Sequence, residues 1–159
     1  MNKRLLMCLL ALCASAVEAQ TTVIRAGRLI DPETGRAAAN QMIVVQGDKI
    51  TAVGANLEVP KDATVIDLSK ETVLPGLVDS HTHLGLTYKD IPENNYYYLT
   101  YVMESTPLRA IQAASNGIQL LNSGFTVVRD LGNNALYTDT AHRVAIEQGW
   151  IPGPTVINS

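Results

Sequence analysis

The chain has 159 residues, 47% of them hydrophobic and 17% charged, with a formal net charge of −3. That balance suits a globular protein with a real core. There is no basic stripe and no run of like charges, which excludes the electrostatic footprint of a nucleic-acid binder and a charged interaction tail, and leaves a small-molecule partner as the better fit.

Residues 1–19 stand apart from the rest. Lys3 and Arg4 precede an apolar run from Leu5 to Cys13, and small residues follow in Ala14-Ser15-Ala16 and Val17-Glu18-Ala19, the layout of a secretory signal peptide. The apolar run is shorter than the roughly 20 residues a membrane span needs. Cleavage is expected after Ala19, with Ala16 as the alternative, giving a secreted or periplasmic protein with no membrane anchor. A lipoprotein leader would place a small residue before its cysteine, but Met7 precedes Cys8 and Leu12 precedes Cys13. Both cysteines fall in the leader, so a mature chain would hold no disulfide although its compartment permits one. It would keep ten basic and fourteen acidic side chains, a net of −4.

From Thr22 to Val73 the pattern predicts short strands over Val23–Ala26, Met42–Gln46, Lys49–Val53, Thr64–Asp67 and Thr72–Leu74. Asp31-Pro32 with Thr34-Gly35 marks one turn, and Gly47-Asp48 is a two-residue hairpin signal. The expected object is a small antiparallel sheet with one covered face, read from the alternation of Lys49-Ile50-Thr51-Ala52-Val53. No cluster of ligand-type residues occurs there, so its role reads as structural.

Pro75-Gly76 then leads into Leu77-Val78-Asp79-Ser80-His81-Thr82-His83-Leu84. On a strand, alternation puts Asp79, His81 and His83 on one face and Val78, Ser80 and Thr82 on the other. Two imidazoles at i and i+2 leave the strand side by side, the spacing at which one divalent ion takes a nitrogen from each. The bland alternative is a chance pair on a solvated face.

Gly85 to Ser105 reads as a loop or short helix carrying Tyr96, Tyr97, Tyr98 and Tyr101, either lining a pocket or packing under a polar rim. Thr106 as cap and Pro107 at the first helical position open a helix, with Leu108, Ile111, Ala114, Ile118 and Leu121 as its apolar stripe. Gly124 fits a left-handed helix terminus. Phe125 to Arg129 is a strand of the buried kind. A second helix starts at Thr138-Asp139, with Ala141, Val144, Ala145 and Gln148 as one stripe, and ends at Gly149. His142 on that helix reads as a surface or packing residue. Pro152-Gly153-Pro154 turns into a strand over Thr155–Asn158. Alternating strand and helix means parallel pairing with right-handed crossovers.

Pro75 to His83 resembles the first barrel strand of the amidohydrolase superfamily, the metal-dependent hydrolases that include imidazolonepropionase and certain dipeptidases. Gly124-Phe125-Thr126-Val127-Val128-Arg129-Asp130-Leu131-Gly132 and Gly149 to Pro154 resemble the next repeats of the imidazolonepropionase-like branch, so the likeness runs from about residue 22 to the end. It implies an α/β fold: about the first three strands of an incomplete TIM-like (β/α)8 barrel over 74–159, preceded at 20–73 by part of a small β-sandwich whose other strands come from a distant C-terminus. A closed barrel takes about 250 residues, so the chain is expected to stop before the fourth strand.

The resemblance makes His81 and His83 the first two ligands of a divalent metal, usually zinc, in a site of one or two ions. Its other ligands have no counterpart here: a lysine, often carboxylated, after strand four, histidines after strands five and six, and an aspartate after strand eight that is also the general base. No catalytic residue is therefore expected within the chain, and alone it is expected to hydrolyse nothing. Asp79 either orients His81 or meets a neighbouring backbone group. Asp130, at the carboxyl end of its strand, is substrate-facing or architectural, and Tyr97 is a further candidate on the substrate side. Thr155 departs from the branch, which often has arginine after Gly-Pro. The implied substrate is a peptide-like or cyclic amide, with its selecting loops beyond this stretch. The competing reading is a non-catalytic binding or assembly module, which would have to stay monodisperse despite an open sheet edge.

Overall fold

The computed structural model describes residues 20–87, 98–131 and 136–158. The leader at 1–19, Tyr96, Tyr97 and Gly132 lie outside the described residues. The chain divides into two compact units between Pro75 and Gly76.

The first unit is a four-stranded sheet of β1 (Thr21–Asp31), β2 (Arg36–Gln46), β3 (Lys49–Gly54) and β4 (Thr64–Val73), in the order β3-β2-β1-β4. Both expected turns form. Asp31 organises the first: its carboxylate accepts from the Thr34 hydroxyl at 2.6 Å and from the Glu33 N–H at 3.0 Å. These bonds, the Thr34 one foremost, hold its pKa below the ordinary carboxylate value. The second turn closes where Gln46 pairs with Lys49.

The sheet is not wholly antiparallel, contrary to expectation, because β4 pairs parallel with β1. Turn residues specify only the hairpins between neighbours in sequence; β4 returns after residues 55–63 and its direction is set by long-range pairing. The two short strands expected at 64–67 and 72–74 are one strand broken by a bulge, where the register passes from Ala26 opposite Leu68 to Arg28 opposite Thr72. Gly27 sits at that step, and a Cβ there would lie 2.3 Å from the Ser69 carbonyl oxygen. The bulge closes onto backbone that only glycine leaves clear. Nor does alternation bury one face of β3: Ile50 and Val53 are 66% and 52% exposed, since β3 is an edge strand. The core of this unit is Val23, Ala26 and Ile43.

The second unit is a parallel sheet of β5 (Leu77–Thr82), β6 (Phe125–Asp130) and β7 (Thr155–Asn158), in that order, with helices α1 (Thr106–Asn122) and α2 (Thr138–Glu147) between the strands. A π-helical turn, Leu99–Met103, precedes α1. Leu84, Ala113, Val128 and Val156 form the core, with Leu120, Phe125 and Ile146 packed on it.

Both helices stand where the sequence predicts them, but each is rotated from its expected face. The buried residues of α1 are Arg109, Ala113 and Gly117, while Leu108 and Ile111 are 44% and 69% exposed. Ala113 lies in the core with Val128 and Val156, and Gly117 leaves room for His142 of α2, whose Cε1 would stand 2.5 Å from a Cβ there, so small residues rather than the most apolar ones mark the close approaches of α1. The cap is Ser105 in extended geometry, which moves Thr106 and Pro107 into the first turn. On α2 the buried face is Thr138, Asp139 and His142, so His142 is a packing residue and not a surface one. Gly124, at φ 92°, follows α1 as expected. No described helix is long and apolar enough to cross a membrane.

Candidate metal centre

The site is built at the carboxyl end of β5. Between Asp79 and Thr82 the pairing of β5 with β6 shifts register, the kind of irregularity that re-aims side chains at functional rims. Asp79 holds that irregularity: its Oδ1 accepts the backbone N–H of His81 at 3.0 Å. Of the two roles open to Asp79, this bond is the one to a neighbouring backbone group. On the far side of the step the Thr82 hydroxyl donates to the Arg129 carbonyl at 3.1 Å, and the Leu131 N–H donates to the Thr82 carbonyl at 3.0 Å.

Thr82 and Leu84 are thereby buried and His81 and His83 exposed, in strict alternation. The two imidazoles stand beside one another, ring centroids 5.2 Å apart and planes at 72°. Neighbouring imidazoles open to solvent are a donor set suited to a borderline-soft divalent ion. They supply only two of the three or more protein ligands a catalytic zinc takes. Among the described residues no group of three or more His, Cys, Asp or Glu side chains comes together to hold a metal. The pair fits two positions of a metal site.

Asp130 ends β6 beside this pair but turns inward. It is 2% exposed, and its Oδ2 accepts the Leu84 N–H at 3.1 Å. Burial raises its pKa and nearby Asp139 adds to the rise, while the Leu84 bond and His83 oppose it. The carboxylate thus faces the turn after His83 rather than open space, which gives it the architectural place of its two expected ones. Tyr97 lies outside the described residues. Of the other tyrosines, Tyr101 lies under the Arg109 guanidinium, whose Cζ is 5.0 Å from the ring centroid.

Sequence reasoning missed Asn116 and Arg109. The Asn116 side-chain amide donates to the carbonyls of Leu84 at 2.8 Å and Leu86 at 3.3 Å and to the Thr87 hydroxyl at 3.2 Å. Arg109 Nε donates to the Gly85 carbonyl at 3.0 Å. The available signal was an asparagine in mid-helix, where its side chain competes with the backbone and is disfavoured without a partner. A cavity of about 380 Å³ opens between this turn and α1, with His83, Asn116 and Leu120 in its wall.

With this geometry in view, the comparisons with known proteins are specific. A sequence model of the amidohydrolase family matches residues 72–159, which include the histidine pair and all three strands of the second unit. A dihydroorotase of Geotalea daltonii is 43% identical over 70 residues, 42% of this chain and 16% of that protein. An imidazolonepropionase of Alkaliphilus metalliredigens is 34% identical over 122 residues, 62% of this chain and 29% of that protein. A solved Xaa-Pro dipeptidase with methionine bound in its active site superposes with a TM-score of 0.75 at 30% identity, covering 88% of this chain and 33% of that one. The chain therefore spans at most about a third of the length of these relatives. Its α/β fold is that of a partial TIM-like barrel preceded by a sheet unit, matched along nearly the whole chain. A histidine pair at the end of the first parallel strand, under a family model that spans more than half of the sequence, places this chain in the amidohydrolase family.

Proposed function

We infer that this chain is the N-terminal part of an exported, metal-dependent hydrolase that cleaves C–N bonds in a peptide-like or cyclic amide. The observation that carries the reading is the exposed His81–His83 pair at the strand end, rings 5.2 Å apart, inside the family match. The relatives named as a dihydroorotase and a Xaa-Pro dipeptidase support that substrate class. His81 and His83 hold the ion, zinc by preference for imidazole donors. Bound there, it supplies a Lewis acid that polarises the scissile carbonyl and lowers the pKa of the attacking water.

This chain's own residues set the donors. Asp79 fixes the His81 backbone and Asp130 the peptide after His83, so each imidazole leaves from an anchored position. The general base lies in the part of the enzyme beyond this stretch, and residues 1–159 alone turn over no substrate. The test is hydrolysis by the full-length protein of a panel of dipeptides, acylated amino acids and cyclic amides. Activity is expected to vanish on treatment with a strong chelator and to return with added zinc; turnover that persists in metal-free protein would sink the reading.

Export rests on the leader at 1–19. Cleavage after Ala19 leaves Gln20 as the new terminus and keeps its contacts: Gln20 donates from Nε2 to the Thr64 hydroxyl at 3.0 Å, and its carbonyl accepts the Gly47 N–H at 3.2 Å. Intact mass of protein recovered outside the cytoplasm is expected to start at Gln20. A mass that still includes Met1 contradicts export by this leader.

A further inference from the structure

The segment that follows the two histidines is held more firmly than its loop composition would suggest. The Leu86 N–H donates to the His83 carbonyl at 3.0 Å, closing a tight turn directly on the second imidazole-bearing residue. The peptide between His83 and Leu84 is then fixed from the sheet, where Asp130 takes the Leu84 N–H. The next carbonyls are fixed from α1. One Asn116 side-chain nitrogen, with two hydrogens, serves three acceptors: the Leu84 carbonyl, the Leu86 carbonyl and the Thr87 hydroxyl. Buried Leu84 locks the same turn into the core.

We propose that Asn116 is a positioning residue for His83: its amide ties the Leu84–Thr87 turn to helix α1 and so sets the direction from which the second imidazole meets the metal. The role rests on the metal-dependent reading above. It is asymmetric within the pair, because His81 is set by the strand and by Asp79, whereas His83 lies one residue beyond β5 and takes its placement from the turn. It is also a role for a donor. A carboxylate of the same shape would present oxygen to two carbonyls, leaving them without partners in a half-buried place.

The test uses Asn116→Asp in the full-length protein, with Val23→Ala as the control, since Val23 is a fully buried core residue of the first unit and no part of the Leu84 cluster. Zinc affinity is measured by competition with a chromophoric chelator, and ligand geometry by the visible spectrum of the cobalt-substituted protein. Asn116→Asp is expected to weaken zinc binding by ~10-fold or more, the usual consequence of losing a partner that orients a ligand, and to shift the cobalt spectrum. Val23→Ala is expected to lower the melting temperature while leaving both readouts in place. Equal zinc affinity and an unchanged cobalt spectrum in Asn116→Asp overturn the proposal, whatever its melting temperature. If that variant does not fold, hydrogen exchange of the wild-type protein decides: Leu84 and Leu86 amides protected like those of β6 support the fixed turn, and loop-like exchange overturns it. Wild-type protein that takes up no zinc overturns the metal reading, and the positioning role with it.

Discussion

Replacing His81 and His83 together by alanine is expected to empty the full-length protein of zinc and reduce hydrolysis to its metal-free background, with the fold left standing. Both rings are exposed, so their removal opens no cavity, and substitutions of that kind cost within about 0.5 kcal/mol. Each ring is nonetheless a direct donor. Loss of an outer partner alone typically weakens metal binding by roughly 10–100-fold, and removing two direct donors takes away both ligands that this strand supplies, a larger loss. Metal content by elemental analysis, read beside far-ultraviolet circular dichroism, separates loss of metal from loss of fold. Ser80→Ala, between Asp79 and His81 on the same strand, is the silent control. A double variant that still carries stoichiometric zinc and turns substrate over would show that the pair is only a solvated strand face.

The histidine pair was legible because its geometry is local. A strand period of two fixes which side chains share a face, and Pro75-Gly76 marks where the strand begins, so the neighbouring rings needed no knowledge of the rest of the fold. The same holds for the hairpin at Gly47-Asp48 and for the helix ends at Pro107, Gly124 and Gly149, each a backbone requirement written in one or two residues. What the sequence hid is the product of contacts between distant segments. The parallel pairing of β1 with β4, the burial of Arg109 and the hold of Asn116 on Leu84 all join residues far apart in the chain. The helix faces misled for a related reason. On α1 the residues at the closest contacts are Ala113, in the core with Val128 and Val156, and Gly117, against His142 of α2; hydropathy ranks both below Leu108 and Ile111, but they let neighbouring elements approach. Asp130 shows both sides at once: its position at a strand end was readable, whereas its inward turn depends on a Leu84 amide that only the folded chain brings to it.

His142 makes the protein sensitive to mild acid. It is 3% exposed, and neither ring nitrogen has a hydrogen-bond partner. It lies against Gly117, where a Cβ would come within 2.5 Å of its Cε1, and beside Gly153. Burial disfavours the imidazolium and holds the His142 pKa below the ordinary value of 6.5. The folded protein therefore takes up this proton less readily than the unfolded chain. Above 6.5 both states hold a neutral ring and the difference vanishes; below it the unfolded chain gains a proton that the folded one refuses, and stability falls as pH falls. For one proton the slope approaches about 1.4 kcal/mol per pH unit until the lower, folded pKa is passed. Asp130 acts with the opposite sign, since burial raises its pKa and acid relieves it, but it is common to wild type and a His142 variant and cancels in their difference. His142→Leu replaces two unpartnered buried nitrogens by a side chain of similar bulk, and removal of unsatisfied buried polar atoms in this way is near neutral or stabilising. Urea unfolding of both proteins at pH 7.5, 6.5 and 5.5 is expected to show wild type losing stability relative to His142→Leu by roughly 1 kcal/mol over the last step. A difference that stays flat from pH 7.5 to 5.5 would mean that the ring has found a partner, or water, and is not held neutral by the packing of α2 on α1.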